Sequence, residues 1–253
     1  MQGMIREWVT LLRLACKRSH SYSDYQEFQI YQASLVLNYL RVHGICVKNT
    51  MVLDLGCGHG GYSYVLSRAG AHVISLDLRR PKTALPAFTQ GDATKLPFAD
   101  RSFSLVFCAS LIEHVADPAR LLAEVRRVLA PEGYVYLSFP PFYSPVGGHQ
   151  FKPYHLLGER LALRLSRYKA NGFATCFGDW GLYPLSIRRA QRLIKEAGLE
   201  VVHISTRFFP INFARLPWLG EFLTWHVQFI LNKTEKPQSS SIFAQDNVRF
   251  LRS

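Results

Sequence analysis

The chain is 253 residues long, 48% of them hydrophobic and 19% charged, and its formal net charge at pH 7 is +12. This length and composition fit one folded domain with insertions and exclude an intrinsically disordered chain. The positive charge favours anionic partners such as nucleic acid, a membrane surface or an acidic substrate, but a solvated basic surface accounts for it about equally well.

The cysteines and the apolar stretches set further limits. The five cysteines are odd in number and contain no C-x-x-C pair, which indicates reduced thiols and argues against a zinc site. The apolar N-terminal stretch is interrupted by Arg6, Glu7 and Arg13 and has no cleavage site. No uncharged stretch reaches the length of a membrane-spanning helix. We therefore expect a cytoplasmic protein that holds no metal.

Two helices are predicted within residues 1–45. In the first, apolar residues recur at helical spacing among basic ones, which is typical of a basic amphipathic helix; these apolar residues are Ile5, Trp8, Val9, Leu12 and Cys16. Such a helix either packs on the domain, which is the commoner outcome, or lies at a membrane interface. Residues 25–43 predict the second helix.

A glycine-rich segment follows a short apolar run. Residues 52–55 predict a buried parallel strand, and the glycines at 56, 58 and 60 allow the backbone to turn sharply and to approach a ligand. Residues 62–68 resume helical spacing, so backbone amides of a helix N-terminus face the loop. Asp77 ends the next predicted strand. This order of strand, glycine loop, helix and acid-ended strand is typical of a nucleoside-binding α/β unit.

The spacing of the glycine loop distinguishes it from a dinucleotide fold. The dinucleotide fingerprint is G-x-G-x-x-G, whereas Asp-x-Gly-x-Gly-x-Gly at 54–60 resembles motif I of the class I S-adenosylmethionine (SAM) dependent methyltransferases. Residues 91–98 (GDATKLPF), 113–115 (EHV) and 124–137 resemble later motifs of these enzymes, in the same order. The resemblance spans about residues 50–140 and is closest to the small-molecule, type 11 group that includes quinone-biosynthesis enzymes.

The resemblance implies a Rossmann-like fold with SAM as the cofactor. The expected sheet has seven mostly parallel strands with an antiparallel last strand, and helices cover both of its faces. The implied cofactor contacts are Asp54, Gly56, Cys57, Gly58, Ala109 and Ser110 at the amino-acid end, Asp77 at the ribose hydroxyls, and Leu78, Asp92 and Ala93 at the adenine. Asp54 would orient the methionine ammonium either directly or through water.

His114 is the candidate catalytic residue, because it follows the predicted fourth strand, where cofactor and acceptor meet in the family. A histidine suits a general base near neutral pH. The alternative, about equally weighted, is a structural histidine in the turn formed by Asp117 and Pro118. Tyr143, His149 and His155 are further options. Cys108 lies inside a predicted strand, so we expect a buried apolar role rather than the thiol nucleophile of RNA cytosine methylation.

The chain departs from the family pattern in two places. Residues 79–86 are too short and too rich in proline for the usual helix, so the third strand should be short, near 87–90. A lid insertion at about 140–185 is rich in aromatic residues and histidine. We predict that it meets the apolar segment 208–219 above the reacting methyl, with His149, Lys152 and Arg215 near an anionic head of the acceptor. The methyltransferase domain should span 46–237, and 238–253 should be a loose tail.

These observations predict methyl transfer from SAM to a small-molecule acceptor, apolar or lipid-linked, at oxygen or carbon. An RNA or protein methyltransferase is the alternative that the charge suggests, and a non-catalytic SAM-binding protein is another. Nucleic acid is the less favoured partner, because the arginines are scattered and no binding module is attached. We also predict that the basic N-terminal helix helps the protein to sit on the inner face of anionic membranes.

Overall fold

A seven-stranded sheet forms the centre of the computed structural model, which describes residues 2–17, 20–82, 84–85, 87–165, 176–207, 209 and 211–234. Its strands are β1 Met51–Leu55, β2 His72–Asp77, β3 Phe88–Gln90, β4 Phe103–Ala109, β5 Leu129–Phe139, β6 Leu199–Thr206 and β7 Val227–Lys233. The helices are α1 Gln2–Lys17, α2 Tyr22–Val42, α3 Gly61–Arg68, α4 Pro118–Val128, α5 Glu159–Leu165, α6 Ile187–Glu196 and α7 Leu219–Leu223.

The strand order is β3-β2-β1-β4-β5-β7-β6. The pairs from β3 through β5 are all parallel, whereas β7 runs antiparallel to both of its neighbours, β5 and β6. The predicted mostly parallel sheet with an antiparallel last strand is therefore confirmed. Because parallel strands end at the same edge, the segments that follow β1, β2, β4 and β5 are brought to one side of the sheet.

Buried apolar residues cover both faces of the sheet, as expected for parallel strands between helices. Helix starts follow local capping chemistry: Asp117 accepts a hydrogen bond from the Arg120 amide at the start of α4, and Ser186 accepts one from the Arg189 amide at the start of α6.

The two departures from the family pattern are visible in the fold. In the described residues between β2 and β3 no helix forms, and β3 has only three residues. The insertion after β5 contains α5 and has a small buried cluster of its own, formed by Phe142, Phe151, Ala162, Phe177 and Leu182. Residues 166–175 and the predicted tail at 238–253 lie outside the described residues.

The N-terminal helix packs on the domain. The Tyr31 hydroxyl of α2 donates to the Glu7 carbonyl of α1 at 3.2 Å, and Leu14 is buried. Val9 and Leu12 nevertheless stay exposed, and Leu12 also lines a cavity of the domain. Among the described helices, none is both long and apolar enough to cross a membrane.

Candidate active site

The glycine loop lies against the end of β2. Gly56, Gly58 and Gly60 have φ values of +75°, +53° and +80°, a left-handed conformation that other residues rarely adopt. The amides of Gly56 and Cys57 both donate to the Leu76 carbonyl, at 2.8 and 3.1 Å. These bonds hold the loop at the strand end, which is the position expected for a ligand-binding loop of this fold.

Asp77 is joined directly to this loop. The Gly58 amide donates to Asp77 Oδ2 at 3.0 Å, and the Arg79 amide donates to Oδ1 at 3.1 Å. The side chain is half-buried, so the carboxylate stands at the surface of the loop. The structure therefore brings the glycine loop and the acid together, as the sequence predicted.

Asp54 lies deeper, in β1, with 2% of its surface exposed. Its carboxylate accepts a hydrogen bond from the Ser63 hydroxyl, which is also 2.8 Å from the Ser75 hydroxyl. Burial raises the pKa of Asp54 to about 7, although the Ser63 bond works in the opposite direction. The sequence predicted that Asp54 orients the methionine ammonium of SAM either directly or through water. The depth of the carboxylate favours the contact through water.

The residues predicted around the adenine lie after β2 and β3. Asp92 Oδ1 accepts from the Thr94 amide at 2.8 Å and from the Thr94 hydroxyl at 2.9 Å, and these bonds lower the pKa of Asp92. Ala93 is buried beneath this turn, whereas Leu78 is 65% exposed. Two hydrogen bonds thus hold the Asp92 carboxylate in this turn, and Leu78 is a large apolar residue left at the surface beside Asp77.

Ala109 and Ser110 end β4 and lead into the turn that carries His114. Ser110 has a left-handed backbone (φ +55°) and donates from its amide to the Ser138 carbonyl at 2.7 Å. His114 closes the 3₁₀ turn Ile112–His114, and its Nδ1 is 2.6 Å from the Gly181 carbonyl. Because a carbonyl oxygen only accepts, Nδ1 carries the hydrogen, and the neutral imidazole then has its lone pair on Nε2. The N-cap of the following helix α4 is Asp117 and not His114.

A cavity of about 1020 Å³ opens beside this turn. Its wall includes Ser110 and His114, residues of the insertion such as His149 and Lys152, residues of 206–226 such as Phe209 and Trp225, and parts of α1 and α2. The two predicted lid segments therefore do meet at one cavity. Phe208 and Pro210 lie outside the described residues.

One residue of the predicted acceptor site is misplaced. Arg215 does not line the cavity. Its positive charge instead acts to lower the pKa of Tyr39 and of His203. The reason is a local fold-back after β6: the Thr206 amide donates to Asn212 Oδ1 and the Phe213 amide donates to the Thr206 hydroxyl. The prediction of Arg215 near the anionic head is therefore wrong.

Two charged residues of the site had no assigned role in the sequence analysis. Arg207 is buried in the cavity wall, where it donates to the Tyr62 hydroxyl and, at 3.3 Å, to the Ser138 hydroxyl. Glu113 is 2% exposed, and burial raises its pKa to about 8. The EHV motif contained Glu113, but a motif does not reveal whether a carboxylate is buried.

The remaining alternatives for a base or nucleophile are less suitable. His155 is buried in the insertion, with its ring 5.3 Å from Phe142 and its Nε2 3.2 Å from the Ser144 carbonyl. Tyr143 packs against Phe222. Cys108 is completely buried in β4, and burial raises its pKa well above the usual range. The buried thiol cannot reach an acceptor, and neither Tyr143 nor His155 lines the cavity.

Comparison with known proteins shows the family of this chain. Residues 53–137 match the family described as a methyltransferase domain. An uncharacterized methyltransferase of Mycolicibacterium gilvum is 30% identical over 204 residues, which cover 76% of this chain and 79% of that one. The chain belongs to the SAM-dependent methyltransferases. A SAM-dependent methyltransferase of Mesorhizobium loti shares the fold, with a TM-score of 0.55 and 20% identity over 79% of this chain and 98% of that one.

The residues present fit SAM, the cofactor of this methyltransferase. A carboxylate at the end of β2, Asp77, is within hydrogen-bond distance of a loop whose three glycines have positive φ. The amides at the start of α3 face the same loop, and they favour an anionic or polar group. A nucleoside with a charged amino-acid chain needs both features.

Proposed function

We propose that this methyltransferase transfers a methyl group to an oxygen or carbon atom of a small, largely apolar acceptor bound in the 1020 Å³ cavity. Pockets for small molecules are of this order of size, and they combine apolar walls with a few polar groups. Here Phe28, Val146 and Phe209 supply apolar wall, and His114 and Arg207 supply polar groups.

The cofactor is held by the loop side of the site in this proposal. SAM supplies a methyl group activated by its sulfonium. Asp77 accepts from the ribose hydroxyls, Leu78 covers the adenine, and Asp92 with the Ala93 amide receives the edge of the base. Backbone at Gly56, Cys57, Gly58, Ala109 and Ser110 lies along the amino-acid end. Such positioning is the main task of the protein, because the methyl carbon is already electrophilic.

His114 acts as the general base when the acceptor carries a proton that must leave. The observation that carries this role is its fixed tautomer: the Gly181 carbonyl holds Nδ1–H at 2.6 Å, and the ring lies in the cavity wall with a lone pair on Nε2. Glu113 Oε1 is 4.0 Å from that Nε2. An ionised Glu113 would stabilise the imidazolium that forms.

The acceptor class is supported by the surface around the cavity. Trp218, Leu219, Phe222 and Trp225 are all at least half exposed, and Trp225 also lines the cavity. Arg188 stacks on the Trp218 ring at 3.8 Å. Aromatic residues beside basic ones suit an interface with anionic lipid. We propose that this patch docks on an anionic membrane, so that a lipid-linked acceptor enters the cavity directly.

Methyl incorporation tests the acceptor class. Labelled SAM is incubated with the protein and with lipid, small-molecule, RNA and protein fractions of a cell extract, and His114→Ala serves as the control. We expect label in the lipid or small-molecule fraction only. Label confined to RNA or protein would overturn this acceptor class and favour the alternative that the net charge suggests.

Vesicle flotation tests the membrane docking. We expect the protein to float with phosphatidylglycerol vesicles at low salt, and the double variant Trp218→Ser with Phe222→Ser to remain in the soluble fraction. Tyr64→Ser is the matched control, because Tyr64 is an exposed aromatic residue on α3. Docking is disproved if the unaltered protein ignores anionic vesicles, or if the double variant floats as well as the control.

A further inference from the structure

We propose that Glu113, His114 and His149 form a binding site for one divalent transition-metal ion at the wall of the cavity. Their ligand atoms lie within 4.8 Å of one another. Glu113 Oε1 is 4.0 Å from His114 Nε2 and 3.8 Å from His149 Nε2. The sequence argued against zinc because of its cysteine pattern, but this site uses no cysteine.

The donor set is one that such ions select. Two imidazoles with one carboxylate bind catalytic zinc in hydrolases and iron in oxygenases. Zinc holds these ligands at about 2.0–2.2 Å, which places tetrahedral ligand atoms about 3.3–3.5 Å apart. Closing the cluster shortens the two Glu113 distances, now 4.0 and 3.8 Å, by about 0.3–0.7 Å. It shortens the widest pair of ligand atoms, which are up to 4.8 Å apart, by up to about 1.3–1.5 Å.

His114 is already oriented as a ligand. Its Nδ1–H donates to the Gly181 carbonyl at 2.6 Å, so Nε2 presents a lone pair toward Glu113. Metal-binding histidines usually donate their second ring N–H to a carbonyl or carboxylate, which fixes the tautomer. His149 has a left-handed backbone with φ of +47°, an uncommon conformation that concentrates at functional sites.

Glu113 supplies the independent observation. Its side chain is 2% exposed, and among the described residues neither carboxylate oxygen has a hydrogen-bond partner beyond the backbone of Glu113 itself. A buried carboxylate is costly unless it is paired or bound to a metal. The positive charge of Arg207 acts to lower the pKa of Glu113. The Arg207 guanidinium donates hydrogen bonds to the hydroxyls of Tyr62 and Ser138. Coordination of an ion would satisfy the carboxylate at short range.

The site is open on one side. His114 and His149 both line the cavity, so an ion held by three protein ligands would have a coordination position that faces the acceptor. A bound ion would occupy the His114 lone pair, so His114 would then be a ligand and not the general base, and the ion would activate the acceptor by lowering the pKa of its hydroxyl. That last consequence depends on the proposed function, whereas metal binding does not.

Metal binding is tested on the full chain, without SAM or acceptor, after treatment with a chelator. Zn²⁺ binding is measured by calorimetry, and Co²⁺ binding by its visible absorption, which reports a nitrogen and oxygen ligand set. We expect one ion per chain. Glu113→Gln, His114→Ala and His149→Ala should each weaken binding by more than about 100-fold, since even outer-shell changes cost about 10–100-fold.

His203→Ala is the matched control. His43 and His203 form a second histidine pair, with ring centres 4.3 Å apart, that includes no member of the proposed site. We expect the metal affinity of the His203→Ala variant to equal that of the unaltered protein. The site is refuted if the chain binds neither ion, if Glu113→Gln and His149→Ala bind as tightly as the control, or if the control loses binding equally. Thermal melting in chelator verifies that each variant is folded, and a failure of methyl incorporation leaves this result unaffected.

Discussion

The proposed cofactor side of the active site comes from one continuous stretch, residues 54–110. The proposed acceptor cavity instead gathers side chains from α1, α2, the insertion after β5 and the segment between β6 and β7. On the cofactor side, loop amides and strand-end carboxylates lie within a few ångströms because parallel strands end together. On the acceptor side, no short stretch contains the site.

The two sides also differ in whether backbone or side-chain atoms face the ligand. The glycine loop offers backbone groups, which every sequence supplies once glycines allow the turn. The cavity instead depends on particular side chains, among them buried Arg207 and buried Glu113. A change of acceptor can therefore be accommodated by substitutions in the cavity wall, while the cofactor side stays unchanged.

The largest effect is expected on the acceptor side, at His114. His114→Ala should lower kcat by about 10²–10⁴-fold, because the general base is lost, while the affinity for SAM stays close to that of the unaltered protein. Turnover and SAM binding are measured in parallel, with His203→Ala as a control. A near-normal rate at saturating SAM and acceptor would return His114 to a structural role.

The second effect concerns stability on the cofactor side. Because burial raises the pKa of Asp54 from 3.8 to about 7, the folded protein keeps a proton that the unfolded chain has lost between these values. The contribution of Asp54 to the free energy of unfolding therefore falls as pH rises through this range, by up to about 1.4 kcal/mol per pH unit.

Asp54→Asn should remove this decline, because the amide does not titrate. Urea unfolding at about pH 5 and about pH 7 measures the difference, and Glu132→Gln, a change at an exposed position, controls for a general change of charge. If Asp54→Asn and the unaltered protein lose stability in parallel, Asp54 is not the group that causes the decline.

A smaller effect is expected at Asp77, where a substitution should change only the affinity for SAM. Asp77→Ala removes the charged acceptor for the ribose hydroxyls, and a hydrogen bond to a charged group contributes about 1.5–3 kcal/mol. SAM affinity should therefore fall by about 10–150-fold in calorimetry. Glu132→Ala should leave it unchanged. Equal affinities in the two variants would exclude Asp77 from the cofactor site.

The smallest effect is expected at Cys108, which is as deeply buried as the core of the sheet. Cys108→Ala should retain near-normal turnover, because the thiol cannot reach an acceptor and burial keeps it protonated. Single-turnover methyl transfer measures this. Complete loss of activity in a folded variant would favour a covalent thiol mechanism and the RNA alternative.

The sequence predicted the cofactor side more fully than the acceptor side, for a physical reason. The strand, glycine loop and acid at 52–77 are joined by local geometry, so their pattern predicts that Asp77 meets Gly58. The short β3 and the N-cap at Ser186 follow from local chemistry in the same way.

Long-range contacts escaped prediction. Glu113 and His149 are brought together only by the folded insertion, and Arg207 meets Tyr62 across 145 residues of sequence. Arg215 was misplaced because a pair of side-chain hydrogen bonds, between Thr206 and the 212–213 turn, reverses the chain direction. None of these contacts leaves a periodic signal in the sequence.

The separate apolar cluster of the insertion gives this region a stability of its own. Because its buried residues are distinct from those beneath the sheet, the insertion can open as a local cooperative unit while the sheet stays folded. Gly181, which orients the His114 ring, lies in the chain between Phe177 and Leu182 of that cluster. Opening of the insertion would therefore admit an acceptor and release the imidazole in the same event, so that the base is aligned only after the cavity has closed.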